Sequence, residues 1–150
     1  MAATDPKVRK ATYPARYESL SELRKFARRA AKATGLSEKA VYAVQMAVDE
    51  AFTNIIEHAY GGESDEKVEC QCVIGEDGLT IWMRDCGTGF NPEDIKDPDL
   101  DAPLEERTAG GLGLFFMRQL MDEVQFSFKQ GEEGQDCNIL KMVKLKESHR

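Results

Sequence analysis

The chain predicts an α+β fold: a two-layer α/β sandwich whose mixed, mostly antiparallel sheet is covered by helices on one face. Two helical patterns come first, between about residues 19 and 60, and the strand patterns that follow are joined mainly by tight turns. A doubly wound parallel sheet would need long crossovers between successive strands. The length of 150 residues with 41% hydrophobic residues is enough to furnish one core, so one domain is expected.

Ser19 followed by Glu22 has the form of a capping box, and Leu20, Leu23, Ala27 and Ala30 then repeat at helical spacing up to a stop at Gly35. The other side of this helix carries Arg24, Lys25, Arg28, Arg29 and Lys32, either a solvated face or a docking surface for an acidic partner. Ser37 caps a second helix that runs to about Tyr60, where Gly61 and Gly62 end it; Val41, Val44, Val48, Ala51 and Ile55 form its core stripe. Segments 67–74 and 79–85 flank the turn Gly75-Glu76-Asp77-Gly78 and read as a hairpin. Asn91-Pro92-Glu93-Asp94 has the cap, proline and acidic first turn of a short helix. An acidic loop follows over 97–106, then a helix from Leu114 to about Asp122, and alternating segments over 124–129 and 138–145. Residues 1–16 form an N-terminal segment able to supply a first strand, 17–145 the domain, and 146–150 a tail.

Charge and composition exclude several function classes. The net charge of −7 opposes nonspecific attraction to a phosphate backbone, so direct nucleic-acid binding is not expected. No apolar run approaches the roughly 20 residues that cross a bilayer, and the N-terminus lacks a signal-peptide apolar region, so a cytoplasmic protein without membrane contact is expected. Residues 1–40 carry a balance of +6, which leaves −13 for the remainder. Cys70 and Cys72 share one face of a strand with Val68 and Ile74 and read as small core hydrophobes. Cys86 and Cys137 stand far apart, and none of the four cysteines has zinc-site or C-x-x-C spacing.

Three constellations carry chemistry. On the second helix, Ala43, Ala47, Glu50, Asn54 and Glu57 or His58 line a stripe distinct from the core stripe. Glu50 and Asn54, four residues apart, present a carboxylate and a carboxamide that can hold water and a hard cation, or are exposed polar groups of an amphipathic helix. In segment 79–85, alternation puts Asp85 on the apolar side with Leu79, Ile81 and Met83, directly before the turn Cys86-Gly87-Thr88-Gly89-Phe90. A buried carboxylate needs a partner, and the amine of a base such as adenine would serve; the alternative is a strand-terminal Asp in an ordinary turn. Gly110-Gly111-Leu112-Gly113 supplies open backbone N–H groups at a helix start, suited to phosphate or to a sharp turn alone. It matches neither a P-loop nor a dinucleotide fingerprint.

Together these segments resemble the N-box, G1 and G2 signatures of the GHKL (Bergerat-fold) ATPase superfamily, in that family's order and spacing over about residues 17–145. VDEAFTNIIEHAY at 48–60, RDCGTGF at 84–90 and GGLGLFFMRQLMDEV at 110–124 are similar to the anti-sigma factor serine/threonine kinase branch. The resemblance implies ATP and Mg2+ as cofactors. It gives Glu50 the role of orienting or deprotonating the attacking hydroxyl and Asn54 that of Mg2+ ligand. Asp85 becomes the acceptor for the adenine amine, Gly87 and Gly89 let the purine pack closely, Gly111 and Gly113 hinge a lid over the phosphates, and Arg107 offsets phosphate charge. The family's closing Gly-Thr is absent; here the region reads Gly134-Gln135-Asp136-Cys137-Asn138, and Asn138 takes the threonine's place near the adenine. The acidic stretch 97–106 would repel a triphosphate unless turned outward or held by the basic helix.

The implied function is phosphorylation of a STAS-type anti-sigma factor antagonist in a partner-switching system, with a sigma factor or another regulatory protein as the second partner and a homodimer as the assembly. The alternative is a nucleotide-gated binding module without kinase activity. The ATPase half of a sensor histidine kinase fits less well, because the only histidines are His58 and His149 and no dimerisation helix pair precedes residue 17.

Overall fold

A computed structural model describes residues 7–87, 111–130 and 136–147. Its elements are β1 (Lys7–Pro14), α1 (Leu20–Thr34), α2 (Glu38–Asn54), β2 (Lys67–Ile74), β3 (Gly78–Asp85), α3 (Gly111–Leu120), β4 (Glu123–Gln130) and β5 (Asp136–Leu145). The short helix expected at 91–94 and the acidic loop at 97–106 lie outside the described residues.

The five strands form one sheet in the order β1-β2-β3-β5-β4, and all four pairings are antiparallel. Helices cover one face, as the α+β reading expects. The core lies between the layers: Leu23, Ala27 and Ala30 of α1, Val44, Val48 and Phe52 of α2, and Leu114 and Met117 of α3 pack on Val68, Cys70, Cys72, Leu79, Ile81, Met83 and Met142 of the sheet. Cys70 and Cys72 are free thiols buried in that core, as their spacing predicts.

Helix boundaries follow local chemistry. Ser37 Oγ accepts from the Ala40 N–H at 3.2 Å, satisfying one of the first-turn donors that an α-helix leaves open. Gly35 ends α1 at φ 87°, and the Leu36 N–H returns to the Ala31 carbonyl at 3.3 Å. This left-handed stop is one that a side-chain-bearing residue adopts only at a cost. The capping box expected at Ser19 does not form: a 3-10 turn over Tyr17–Ser19 leads into α1, and the Ser19 hydroxyl instead donates to the Pro14 carbonyl at 2.8 Å. The hydroxyl thereby ties the start of α1 to the end of β1.

The N-terminal segment supplies the first strand that it was expected to be able to form, whereas one buried cation was not legible locally. Residues 7–14 pair along their whole length with β2 as an edge strand. Lys144 is buried at 7% exposure, with its ammonium donating to the Leu120 carbonyl at 2.7 Å. A cation there neutralises the negative end of the α3 dipole and satisfies one of the carbonyls a helix C-terminus leaves open.

Candidate functional site

The end of α2 sets one wall of the site. After Asn54 the helix widens into a single π-turn over Ile55–Ala59, closed by the Tyr60 N–H on the Ile55 carbonyl at 3.1 Å. Such turns recur at functional sites because the extra residue re-aims the side chains around it. Ala43 and Ala47 are buried ahead of this turn, Glu50 is half-buried, and Asn54 is buried, whereas Glu57 is exposed. Burial raises the Glu50 carboxyl above its ordinary range, and the like charges of Asp49 and Glu57 push it further in the same direction.

The opposite wall is the end of β3 and the start of β5. Alternation puts Asp85 on the helix-covered face, where it is only 4% exposed. Asn138 lies directly across from it in the β3–β5 register and donates from Nδ2 to Asp85 Oδ1 at 2.9 Å. The Gly87 N–H donates to the same oxygen at 3.1 Å. Burial raises the Asp85 carboxyl, and these two donors offset part of that rise by favouring the anion. Among the described residues both of these donors converge on Oδ1.

Backbone contacts stitch the two walls together. The Cys86 N–H donates to the Tyr60 hydroxyl at 3.1 Å. A Cβ at Gly87 would collide with the Ala59 carbonyl oxygen and stand 2.9 Å from the Tyr60 ring. Gly87 is thus required by the approach of the π-turn, a reason independent of any purine. Gly87→Ala is expected to lower stability by about 1–3 kcal/mol through overpacking, read as a lower urea midpoint at unchanged slope.

Ala51, Asn54, Asp85, Met117 and Asn138 line a single cavity between α2, α3 and the sheet. The structure therefore brings together three residues singled out from sequence, Asn54, Asp85 and Asn138, although Asp85 and Asn138 are 53 positions apart. Gly111 and Gly113 fall inside the first turn of α3, which starts three residues earlier than the apolar pattern suggests. Unbonded N–H groups at such a turn are suited to an anion. Gly89 and Arg107 lie outside the described residues, as does the segment between them.

Cys86 and Cys137, which carry no recognisable spacing, are joined by a disulfide with their Cα atoms 4.0 Å apart. They occupy the positions directly after Asp85 and directly before Asn138, and so belong to the same end of the β3–β5 pair. Only the strand register could have revealed the pairing, because 51 residues separate them.

Comparison with known proteins identifies the family. A family model described as a histidine kinase-like ATPase domain matches residues 13–144. The serine-protein kinase RsbW of Listeria monocytogenes serovar 1/2a is 36% identical over 67% of this chain and 67% of its own length. That of Bacillus cereus (strain AH187) is 31% identical over 79% of this chain and 76% of its own. Among solved structures, the RsbU and RsbW domains of a Mycobacterium tuberculosis protein superpose with a TM-score of 0.55 at 15% identity, covering 93% of this chain and 33% of that one, a likeness of fold. No helix among the described residues is long and apolar enough to cross a membrane. The family match spans both walls of the cavity, from β1 to the end of β5, and the chain belongs to the histidine kinase-like ATPase domain family.

Proposed function

We propose that the chain is an ATP-dependent protein serine/threonine kinase that phosphorylates a STAS-type anti-sigma factor antagonist, and that it also binds a sigma factor or similar regulator. The observation that carries the reading is buried Asp85, hydrogen-bonded to half-buried Asn138, facing Asn54 across one cavity, with half-buried Glu50 one helical turn before Asn54. RsbW relatives named serine-protein kinases at 31–36% identity support the activity.

In this reading Asp85 Oδ2 accepts from the exocyclic amine of adenine, while Asn138 and the Gly87 N–H hold the carboxylate in place through Oδ1. The α3 amino end, free of side chains at Gly111 and Gly113, directs backbone N–H groups at phosphate oxygens. Glu50 takes the proton of the substrate serine or threonine hydroxyl as it attacks the γ-phosphorus, the bond from that phosphorus to the β–γ bridging oxygen breaks and ADP leaves, and the raised proton affinity of Glu50 suits a base working near neutral pH. Asn54 is the side chain suited to Mg2+, an ion that retains water and phosphate oxygens as most of its ligands and supplies charge neutralisation to phosphoryl transfer.

The test is magnesium-dependent transfer of labelled γ-phosphate from ATP to a STAS-domain protein encoded in the same genome. Labelling of the STAS protein on serine or threonine is the expected result. Tight ATP binding with no transfer to any such protein would replace the kinase with a nucleotide-gated binding module.

A further inference from the structure

The Cys86–Cys137 disulfide has no part in the chemistry above, and each of its cysteines adjoins in sequence a residue that lines the cavity, Asp85 or Asn138. The β3–β5 ladder ends at Asp85↔Asn138, and Cys86–Cys137 joins the next two positions. Side chains alternate across a sheet, so the two sulfurs lie on the face away from the helices while Asp85 and Asn138 lie on the face toward them. Cys137 is 1% exposed, with the Arg84 guanidinium 3.4 Å from its sulfur; Cys86 is the less buried of the two.

We propose that Cys86–Cys137 is a redox latch that holds the nucleotide site in its binding geometry, and that reducing it weakens ATP binding. The proposal rests on the nucleotide reading given above. Without the covalent link, Asp85↔Asn138 becomes the free end of the β3–β5 ladder, and terminal rungs open at little cost. Among the described residues, the start of β5 would then keep its pairing to edge strand β4, through Gln130↔Asp136 and Lys129↔Cys137. The carboxylate oxygen that Asn138 orients would lose its fixed direction, and ATP would have to restore that order at the expense of affinity.

The chemistry is thiol–disulfide exchange with a dithiol reductant. A thiolate of the reductant attacks the more accessible Cys86 Sγ, the S–S bond breaks, and the Cys137 sulfur leaves as a thiolate beside the Arg84 cation. The reductant's second thiol then attacks the mixed disulfide and releases Cys86. Two electrons and two protons pass to the protein as two cysteine thiols, and the reductant ends as a disulfide. Cys70 and Cys72 stay in the core as thiols throughout.

The experiment titrates Mg-ATP into the full chain by calorimetry, before and after dithiothreitol, with thiols counted under denaturing conditions. The oxidised protein should show two free thiols and the reduced protein four. ATP affinity should fall about fivefold or more on reduction, the low end of ordinary coupling between two sites. C86S and C137S should bind like the reduced protein in either buffer. By reciprocity, saturating ATP should make the disulfide harder to reduce, lowering its midpoint potential by about 20 mV for a fivefold coupling. That readout uses the unaltered sequence and stands even if a variant fails to fold. Equal affinity in the two thiol states, or four thiols that a glutathione disulfide buffer cannot convert to two, would overturn the latch alone. Absence of ATP binding in both states would overturn the nucleotide reading and the latch with it.

Discussion

Glu50→Gln should bind ATP like the parent protein and transfer phosphate about 10²–10⁴-fold more slowly, the range over which general bases act. The amide has the carboxylate's shape and no capacity to take a proton at neutral pH. Glu50 is only half-buried on a helix whose packing comes from Val44, Val48 and Phe52, so the fold should not change. The parent enzyme's pH profile supplies an independent check. A base at Glu50 would be competent only when ionised, which holds above its pKa, and burial with Asp49 and Glu57 nearby raises that pKa. Transfer should therefore decline on acidification from a higher pH than an ordinary glutamate would set, and Glu50→Gln should lack that limb. Single-turnover transfer of labelled phosphate across the acid to neutral range measures both effects. A parent-like rate in Glu50→Gln would remove this side chain from proton transfer.

Asp85→Asn is expected to weaken ATP binding by about 10–100-fold while leaving the fold intact, the cost of a buried hydrogen bond turned into an opposed pair of donors. The carboxamide oxygen can still accept from Asn138 Nδ2 and the Gly87 N–H, so the cross-strand contact survives. What changes is the second oxygen, which becomes an NH2 group facing the adenine amine. GTP presents a carbonyl at the corresponding ring position, so its binding should fall less, and calorimetric titration with both nucleotides reads the contrast. Stability should move the other way. Burial raises the Asp85 carboxyl, so its ionised form disfavours the fold at neutral pH, a cost relieved as pH falls through the raised pKa. Asp85→Asn never bears that cost and should melt no lower than the parent at neutral pH. Equal losses for ATP and GTP would remove the adenine contact.

Much of the site was readable because its parts are short-range patterns. The four-residue spacing of Glu50 and Asn54 puts both on one helical face whatever the rest of the chain does, and α2 carries them so. Alternation over Leu79, Ile81 and Met83 places Asp85 among apolar neighbours, and it is buried there. Ser37 and Gly35 bound their helices through bonds to residues within a few positions. Ser19 misled for the converse reason. Its hydroxyl can cap the helix locally, but the end of β1 brings the Pro14 carbonyl within 2.8 Å and takes that bond instead.

Sequence pattern was sufficient for the existence of α1, α2 and α3, the β2–β3 hairpin, the polar stripe of α2 and the side of the sheet on which Asp85 falls, because each depends on repeats a few residues long. Packing supplied the rest. The insertion of β5 between β3 and β4 sets Asn138 opposite Asp85, joins Cys86 to Cys137 and buries Lys144 against the end of α3. The physical reason is register: contacts between segments some 50 residues apart are settled by how the strands align as the sheet buries one face under three helices, and no short window of sequence records that alignment.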